Sequence, residues 1–470
     1  MFERRERNEE QSEFWVQADR LPAALPSAFY RRLDATLDQM EFARQVWAIC
    51  EPAYAEPSRG GRPGIDPVVD LKMLMIGFFE NLPSDRAIAA RCADSLSARG
   101  FLGSSIQEAT PEHSSFTVIR DRLSMEPLDG IHRVLLAALH AYGLLTGRKL
   151  GIDSSVLEAH ASLRALEHRH TEESCWEYLK RLAAEAGIDP ADTKAVRRFD
   201  KKREGRKTSH QEWQNPPDPE AKIGRTKDGA ADMTYQPEHV TDLESGAIVR
   251  VEVRPGDAAG NDASLCERVL QAVAVLSEAM PEVAEEKLGS ELCAEEGCFA
   301  IEQVSQLQDC AVRTVIADPQ ADRRKPQKAS KEHRAALNYA SRSARSASGK
   351  ALLRKRGEHI ERSFCHILDQ GGLRRATLRG CEKLTKRQMI GAMTYNLSLL
   401  MRTLFGIGTP KQAMAGVRGW LSGANDQFLQ VVRRLIRHFE AFLRLLAGYF
   451  FLVTKSRPLP TAIWGFSTGC

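Results

Sequence analysis

Two acidic residues far apart in the chain stand in settings that suit phosphate chemistry. Asp153 ends the short apolar run KLGID at residues 149–153. Glu361 lies in Gly357-Glu358-His359-Ile360-Glu361-Arg362-Ser363-Phe364, with arginines on both sides and Arg374 and Arg375 following. An acid at a strand mouth and another on a helix among cations would suit a divalent ion facing a polyanion. Transfer of a phosphodiester uses two such ions, one activating the nucleophile and one stabilising the leaving oxygen. Mg2+ prefers hard oxygen ligands, so several carboxylates must converge on one point. Each acid also has an ordinary structural role open to it. Asp153-Ser154-Ser155 would cap a following helix, and Glu361, at the edge of the apolar face of Ile360, Phe364 and Ile367, would pair with Arg362 or Lys355.

The elements that must position these acids follow from periodicity. Residues 1–148 read as helical. Residues 63–83 offer a proline-initiated helix with Leu71, Leu74, Met75 and Phe78 on one stripe, and short helices follow at 84–93, 96–102 and 116–123. Ser114-Ser115 is a plausible cap for the last of these. Short helices joined by tight turns suit either a helix-turn-helix module or a plain bundle. From residue 149 the texture changes. A strand at 149–153 precedes a polar insertion at about 160–230, after which 235–243 and 247–253 form a hairpin around Glu244-Ser245-Gly246. A helix at 262–280, strands at 292–294 and 311–317 around a helix at 300–308, and closing helices at 385–405 and 426–453 complete an α/β layer pattern. Domain limits of 1–148, 149–405 and 406–470 follow.

Bulk composition constrains less. Hydrophobic residues make up 43% and charged residues 27%, as in a globular protein, and the formal net charge is only +4. Its distribution is uneven: 194–207 and 323–356 are basic, whereas 281–303 is acidic. Such blocks are either phosphate-binding surface or solvated helix faces. The ten cysteines lack paired or zinc-finger spacing, which suggests reduced thiols. The charged start MFERRERNEE has no apolar signal region, and the apolar run 441–453 is too short to span a bilayer, so a cytoplasmic protein is expected.

Several long blocks are familiar in type and order. They are GRPGIDP, FFENLPSDRAIAARCADSLSARGFLG and PEHSS; GIDSSVLEAHASLRAL; RRFDKKREGRKTSHQEWQNPPDPEAKIGRTKDG and EHVTDLESGAIV; ERSFCHILDQGGLRRATLRG and KRQMIGAMTYNLSLLMRTLFGIGTPK. Over residues 20–415 the chain resembles bacterial insertion-sequence transposases with an RNase H-like core and an Asp-Asp-Glu triad. The resemblance implies a helical N-terminal DNA-binding domain, a mixed sheet with flanking helices, and C-terminal helices. It also implies two Mg2+ ions (Mn2+ as substitute), cleavage at terminal inverted repeats, 3′-hydroxyl transfer into target DNA, a homodimer on paired double-stranded ends, and association with the nucleoid. Asp153 matches the first acid and Glu361 the last. The middle position departs: where the family has Ala-Asp-Lys-Gly-Tyr, this chain has Ala294-Glu295-Glu296-Gly297-Cys298. Glu295 is one methylene longer, moving its carboxylate out by about 1.5 Å, and an error of about 1 Å can cost a hundredfold in rate. A catalytically impaired copy that still binds DNA is therefore the alternative. Arg356, Arg362, Arg374, Arg375, Arg86 and Arg120 are the candidate DNA contacts. Leu368 stands where many relatives carry a phosphate-holding cation. Trp213 would stack on a base or pack in the core, and His239 and Asp242 read as structural.

Overall fold

The computed structural model describes residues 25–54, 64–204, 212–226, 228–256, 264–320 and 331–414. The helix expected at 426–453 lies outside the described residues. The chain through Lys411 forms one compact unit.

Among the described residues seven helices lead: α1 (Leu25–Gln39), α2 (Phe42–Tyr54), α3 (Pro67–Phe79), α4 (Asp85–Asp94), α5 (Leu96–Leu102), α6 (His113–Arg122) and α7 (Met125–Ala141). Local chemistry sets their ends. Asp66 accepts the Val68 N–H and Pro67 sits at the first helical position, so α3 starts there. Ser84 and Ser95 cap α4 and α5 in the same way. Gly103, at φ 70°, ends α5 in the left-handed conformation that glycine adopts without strain. The Ser114-Ser115 cap is a correction: α6 begins at His113, the capping residue is Glu112, and no side chain bonds the free N–H groups. Because α3 is apolar on almost every side, it is buried nearly throughout among its neighbours.

The second part runs β1 (Lys149–Ser154), β2 (Leu157–Glu158), β3 (Glu167–His168), α8 (Cys175–Glu185), α9 (Thr193–Lys202), β4 (Trp213–Gln214), β5 (Lys222–Arg225), β6 (Ala231–Asp242) and β7 (Ile248–Pro255). It continues with α10 (Leu265–Ala279), β8 (Glu291–Ala294), α11 (Ile301–Asp309), β9 (Arg313–Val315), α12 (Lys331–Arg345), α13 (Ala347–Phe364) and α14 (Cys381–Phe405). The fold is thus mixed α/β. Its main sheet has the order β7-β6-β1-β8-β9, with β6 antiparallel to both neighbours and β1, β8 and β9 parallel; β2 and β5 add to the far half of β6.

Side chains alternate across the pleat. Leu150, Ile152, Leu292 and Ala294 pack with Leu265, Val269 and Leu276 of α10. Cys293, Val251 and Val315 face the other way, onto Leu352 and Ile360 of α13 and Tyr395 of α14. Gly151 faces α13 as well. A Cβ there would lie 2.5 Å from Leu243 Cδ2 and 2.9 Å from Ile360 Cδ1, so the glycine lets the helix close onto β1. The hairpin turn is held by Asp242, which accepts from the Ser245 N–H and hydroxyl at 2.9 and 2.6 Å. Trp213 is buried against Tyr178 and His168, which settles it as a packing residue.

The outer edge of β7 is covered by side chains. Asn396 Oδ1 accepts the Ile248 N–H at 2.9 Å while its Nδ2 donates to the Ile248 carbonyl at 2.8 Å; Thr385 Oγ1 accepts the Val253 N–H at 3.0 Å. A bare strand edge is a pairing hazard, and α14 supplies its cover. Asn396→Ala strands a buried donor and acceptor together, so a stability loss of about 2–4 kcal/mol is expected. Urea unfolding reads it as a lower midpoint with unchanged slope.

Candidate active site

Parallel pairing builds the site. Ile152 lies opposite Ala294, so Asp153 and Glu295 leave the same ends of β1 and β8 side by side, on the α13 face. Their carboxyl groups are hydrogen-bonded to each other. Burial, and then the Asp153 charge and that bond, raise the Glu295 carboxyl to about 7. Two carboxylates this close cannot both ionise cheaply, so the pair resists carrying two negative charges.

Asp153 is held on both oxygens. Oδ1 accepts the Ser154 N–H at 2.8 Å, and Oδ2 accepts from Arg356 Nη1 of α13 at 2.7 Å. The ion pair is mostly buried, with the two side chains 18% and 14% exposed. His239, directly opposite Asp153 on β6, donates or accepts through Nδ1 with the Ser363 hydroxyl at 2.8 Å and stacks on Phe364. Burial drives its pKa down to about 3, so it is a neutral structural residue.

A third acid was not foreseen from sequence. Glu238 of β6 pairs in register with Ser154 and turns to the α10 face. It accepts from Arg268 of α10 at 2.6 Å and from Arg254 of β7 at 3.3 Å. Its charge adds to the upward push on Glu295. Glu238 stands among the polar residues Gln236, His239 and Thr241 of β6, so its sequence surroundings gave no signal.

Glu361 does not join this group. It lies on the exposed stripe of α13 with Arg354 and Glu358. At 3.6 residues per turn it points about 140° around the helix from Arg356, the residue that reaches Asp153. Arg356, Ile360, Ser363 and Phe364 form the sheet-facing side, and Glu361 stands exposed beyond it. Among the described residues no three His, Cys, Asp or Glu side chains come close enough to hold a metal ion. Asp153 and Glu295 meet at the strand ends, while Glu361 lies on the exposed side of α13.

The arginines divide in a similar way. Arg120 is paired with Asp85 at 3.0 Å, Arg356 with Asp153, Arg362 with Glu358 at 2.7 Å and Arg374 with Asp369 at 2.6 Å. Arg86 and Arg375 are exposed. Leu368 is fully buried in the core that α13 and α14 share, so residue 368 presents no side chain to the surface.

The chain is a mixed α/β protein in which a helical part leads into a sheet with paired acids at parallel strand ends. Comparison narrows this. Residues 19–122, covering the N-terminal helices to the end of α6, match the family model described as Transposase domain (DUF772). That match supports a transposase role, for which DNA binding is expected. No curated protein matches the chain. Among the described residues no helix is long and apolar enough to cross a membrane.

Proposed function

We propose that the chain is a DNA transposase of the Asp-Asp-Glu type, with Asp153 and Glu295 at its reactive centre. The observation that carries the reading is the meeting of those two acids at adjacent parallel strand ends, behind an N-terminal segment that matches a transposase domain. The strand order and directions suit an RNase H-like core. Asp153 and Glu295 would hold Mg2+, or Mn2+ in its place, and a divalent ion there would polarise the scissile phosphate of a terminal inverted repeat. Glu295 would have to release its proton first, and Arg356 would have to turn from Asp153 towards the DNA backbone. Glu361 would contribute only after a rotation or shift of α13. Cutting both element ends together calls for a homodimer.

A second reading has its own support. Arg356 already neutralises Asp153, Glu295 is longer than the expected aspartate, and Glu361 stands apart. These features favour a copy that binds element ends without cutting them.

Cleavage of a labelled duplex carrying the ends of the chain's own element, in Mg2+ and then Mn2+, separates the two. The transposase reading expects nicks at the repeat boundary that Asp153→Ala abolishes. Nicking by Asp153→Ala at the wild-type rate would sink it. Binding without cutting, restored to cutting by Glu295→Asp, would establish the impaired copy.

A further inference from the structure

The polar insertion contains a helix whose charge is arranged on one side. In α9, Lys194, Arg197, Arg198, Lys201 and Lys202 are all exposed. Their spacing of i, i+3, i+4, i+7 and i+8 puts them within an arc of about 140° along about 12 Å of helix. Val196 on the opposite side is buried against Leu179 and Ala183 of α8, and Phe199 packs on the same small core. Asp192 caps the helix by accepting the Lys194 and Ala195 N–H groups at 2.9 and 3.1 Å. The hairpin is anchored in turn, since Tyr178 of α8 stacks on His168 of β3 with ring centroids 4.4 Å apart. The stripe is therefore presented by a braced element.

Among the described residues its charge is not drawn into ion pairs. On α8, Arg181 is bound by Glu173 and Glu185, and Lys180 lies over the Trp176 ring. The acid within α9, Asp200, turns to Arg203 at 2.9 Å. Among the described residues none of the five stripe cations makes an ion pair. Like charges at i, i+4 destabilise a helix, so the arrangement works against α9 unless an anion of matching length lies along it. Duplex DNA has one phosphate per about 1.7 Å of axis, or about seven along the stripe. The face carries no aromatic residue to stack on bases and no acid to read a cytosine edge.

We infer that the exposed face of α9 binds the phosphate backbone of duplex DNA without regard to base sequence. The choice of DNA as the polyanion rests on the transposase reading; the charge geometry does not. The surface would hold and orient a duplex, leaving base readout to other parts of the chain.

The test uses the full chain and a labelled duplex of arbitrary sequence, titrated from 50 to 200 mM KCl. The comparison is with a variant carrying K194Q, R197Q, R198Q, K201Q and K202Q. Glutamine keeps helix propensity and relieves repulsion, so circular dichroism should match wild type. Five phosphate contacts contribute about −4.5 to the slope of log affinity against log salt, or about a 500-fold loss across that range. The variant should lose that share of the slope and bind correspondingly weakly at 50 mM. Unchanged slope and affinity in the folded variant overturn the inference, as does wild-type protein that binds anionic phosphatidylserine vesicles but no duplex. Retained repeat-specific nicking by a variant with unaltered duplex binding would remove the α9 surface alone. Lost duplex binding in the variant, with no nicking by wild type, would keep the surface and remove the cleavage reading.

Discussion

Arg268→Ala is expected to lower folding stability by about 3–5 kcal/mol, the range for leaving a buried charge without its partner. Glu238 and Arg268 are 5% and 3% exposed and lie 2.6 Å apart across the β6–α10 layer. Arg254 is a weaker substitute, because it lies 3.3 Å from Glu238 and shares its guanidinium with Glu252 at 2.7 Å. Water cannot readily reach the stranded carboxylate, so its desolvation remains uncompensated. The double variant Glu238→Gln with Arg268→Met removes both charges and keeps most of the volume. It should lose far less than the sum of the single changes, a non-additivity typical of residues in direct contact. Urea midpoints at constant slope measure all three proteins. A loss below about 1 kcal/mol for Arg268→Ala would mean that Arg254 compensates, and the network would not be a determinant of the fold.

The Glu238 case also marks where sequence reading ends. The β1 strand, the hairpin and the β8–α11–β9 run were legible because periodicity and turn residues are local. Asp153 could be singled out because an acid closing an apolar strand is a local anomaly. Glu238 bonds an arginine 30 residues away on another layer, and nothing near it in the chain points there. The direction in which Glu361 points was illegible for a related reason. Ile360, Phe364 and Ile367 define an apolar side, but which flank of it faces the sheet depends on how α13 crosses β1 and β6. That crossing is set by Gly151 and by the Ser363–His239 bond, both tertiary. Cys266 and Cys310, without paired spacing in sequence, come to 3.7 Å between sulfurs for the same reason. The α9 stripe is the converse case. Its spacing is visible at once, while the absence of ion pairs among the described residues needed the structure, which turns Glu173, Glu185 and Asp200 to other arginines.

The second large effect is expected at the joint between the N-terminal helices and the core, as stability that falls while pH rises through neutrality. Asp70 lies on the buried α3, near Asp85, Arg120 and Arg387 of α14. Arg120 and Arg387 both bond Asp85, at 3.0 and 2.9 Å, and so link the segment that matches a transposase domain to the helix that covers β7. Burial is the largest influence on Asp70 and raises its carboxyl from 3.8 to about 7; Asp85 adds to the rise, while Arg120 and Arg387 oppose it. The folded chain therefore holds a proton there more tightly than the unfolded chain. The resulting stability is fully present below the unfolded value near 4 and is lost as pH passes through about 7. At about 1.4 kcal/mol per tenfold change in proton affinity, the loss is of order 4 kcal/mol by pH 8. Glu295 works in the same direction, so wild type alone cannot assign the effect. Asp70→Asn can, because it keeps the shape of the neutral acid and cannot ionise. The variant should match wild type near pH 4, draw ahead as pH rises, and exceed it fully by pH 8, with melting temperatures across that range as the measurement. Parallel curves for the two proteins would show that Asp70 keeps an ordinary carboxylate in the fold, and that the Asp85–Arg120–Arg387 cluster neutralises it completely.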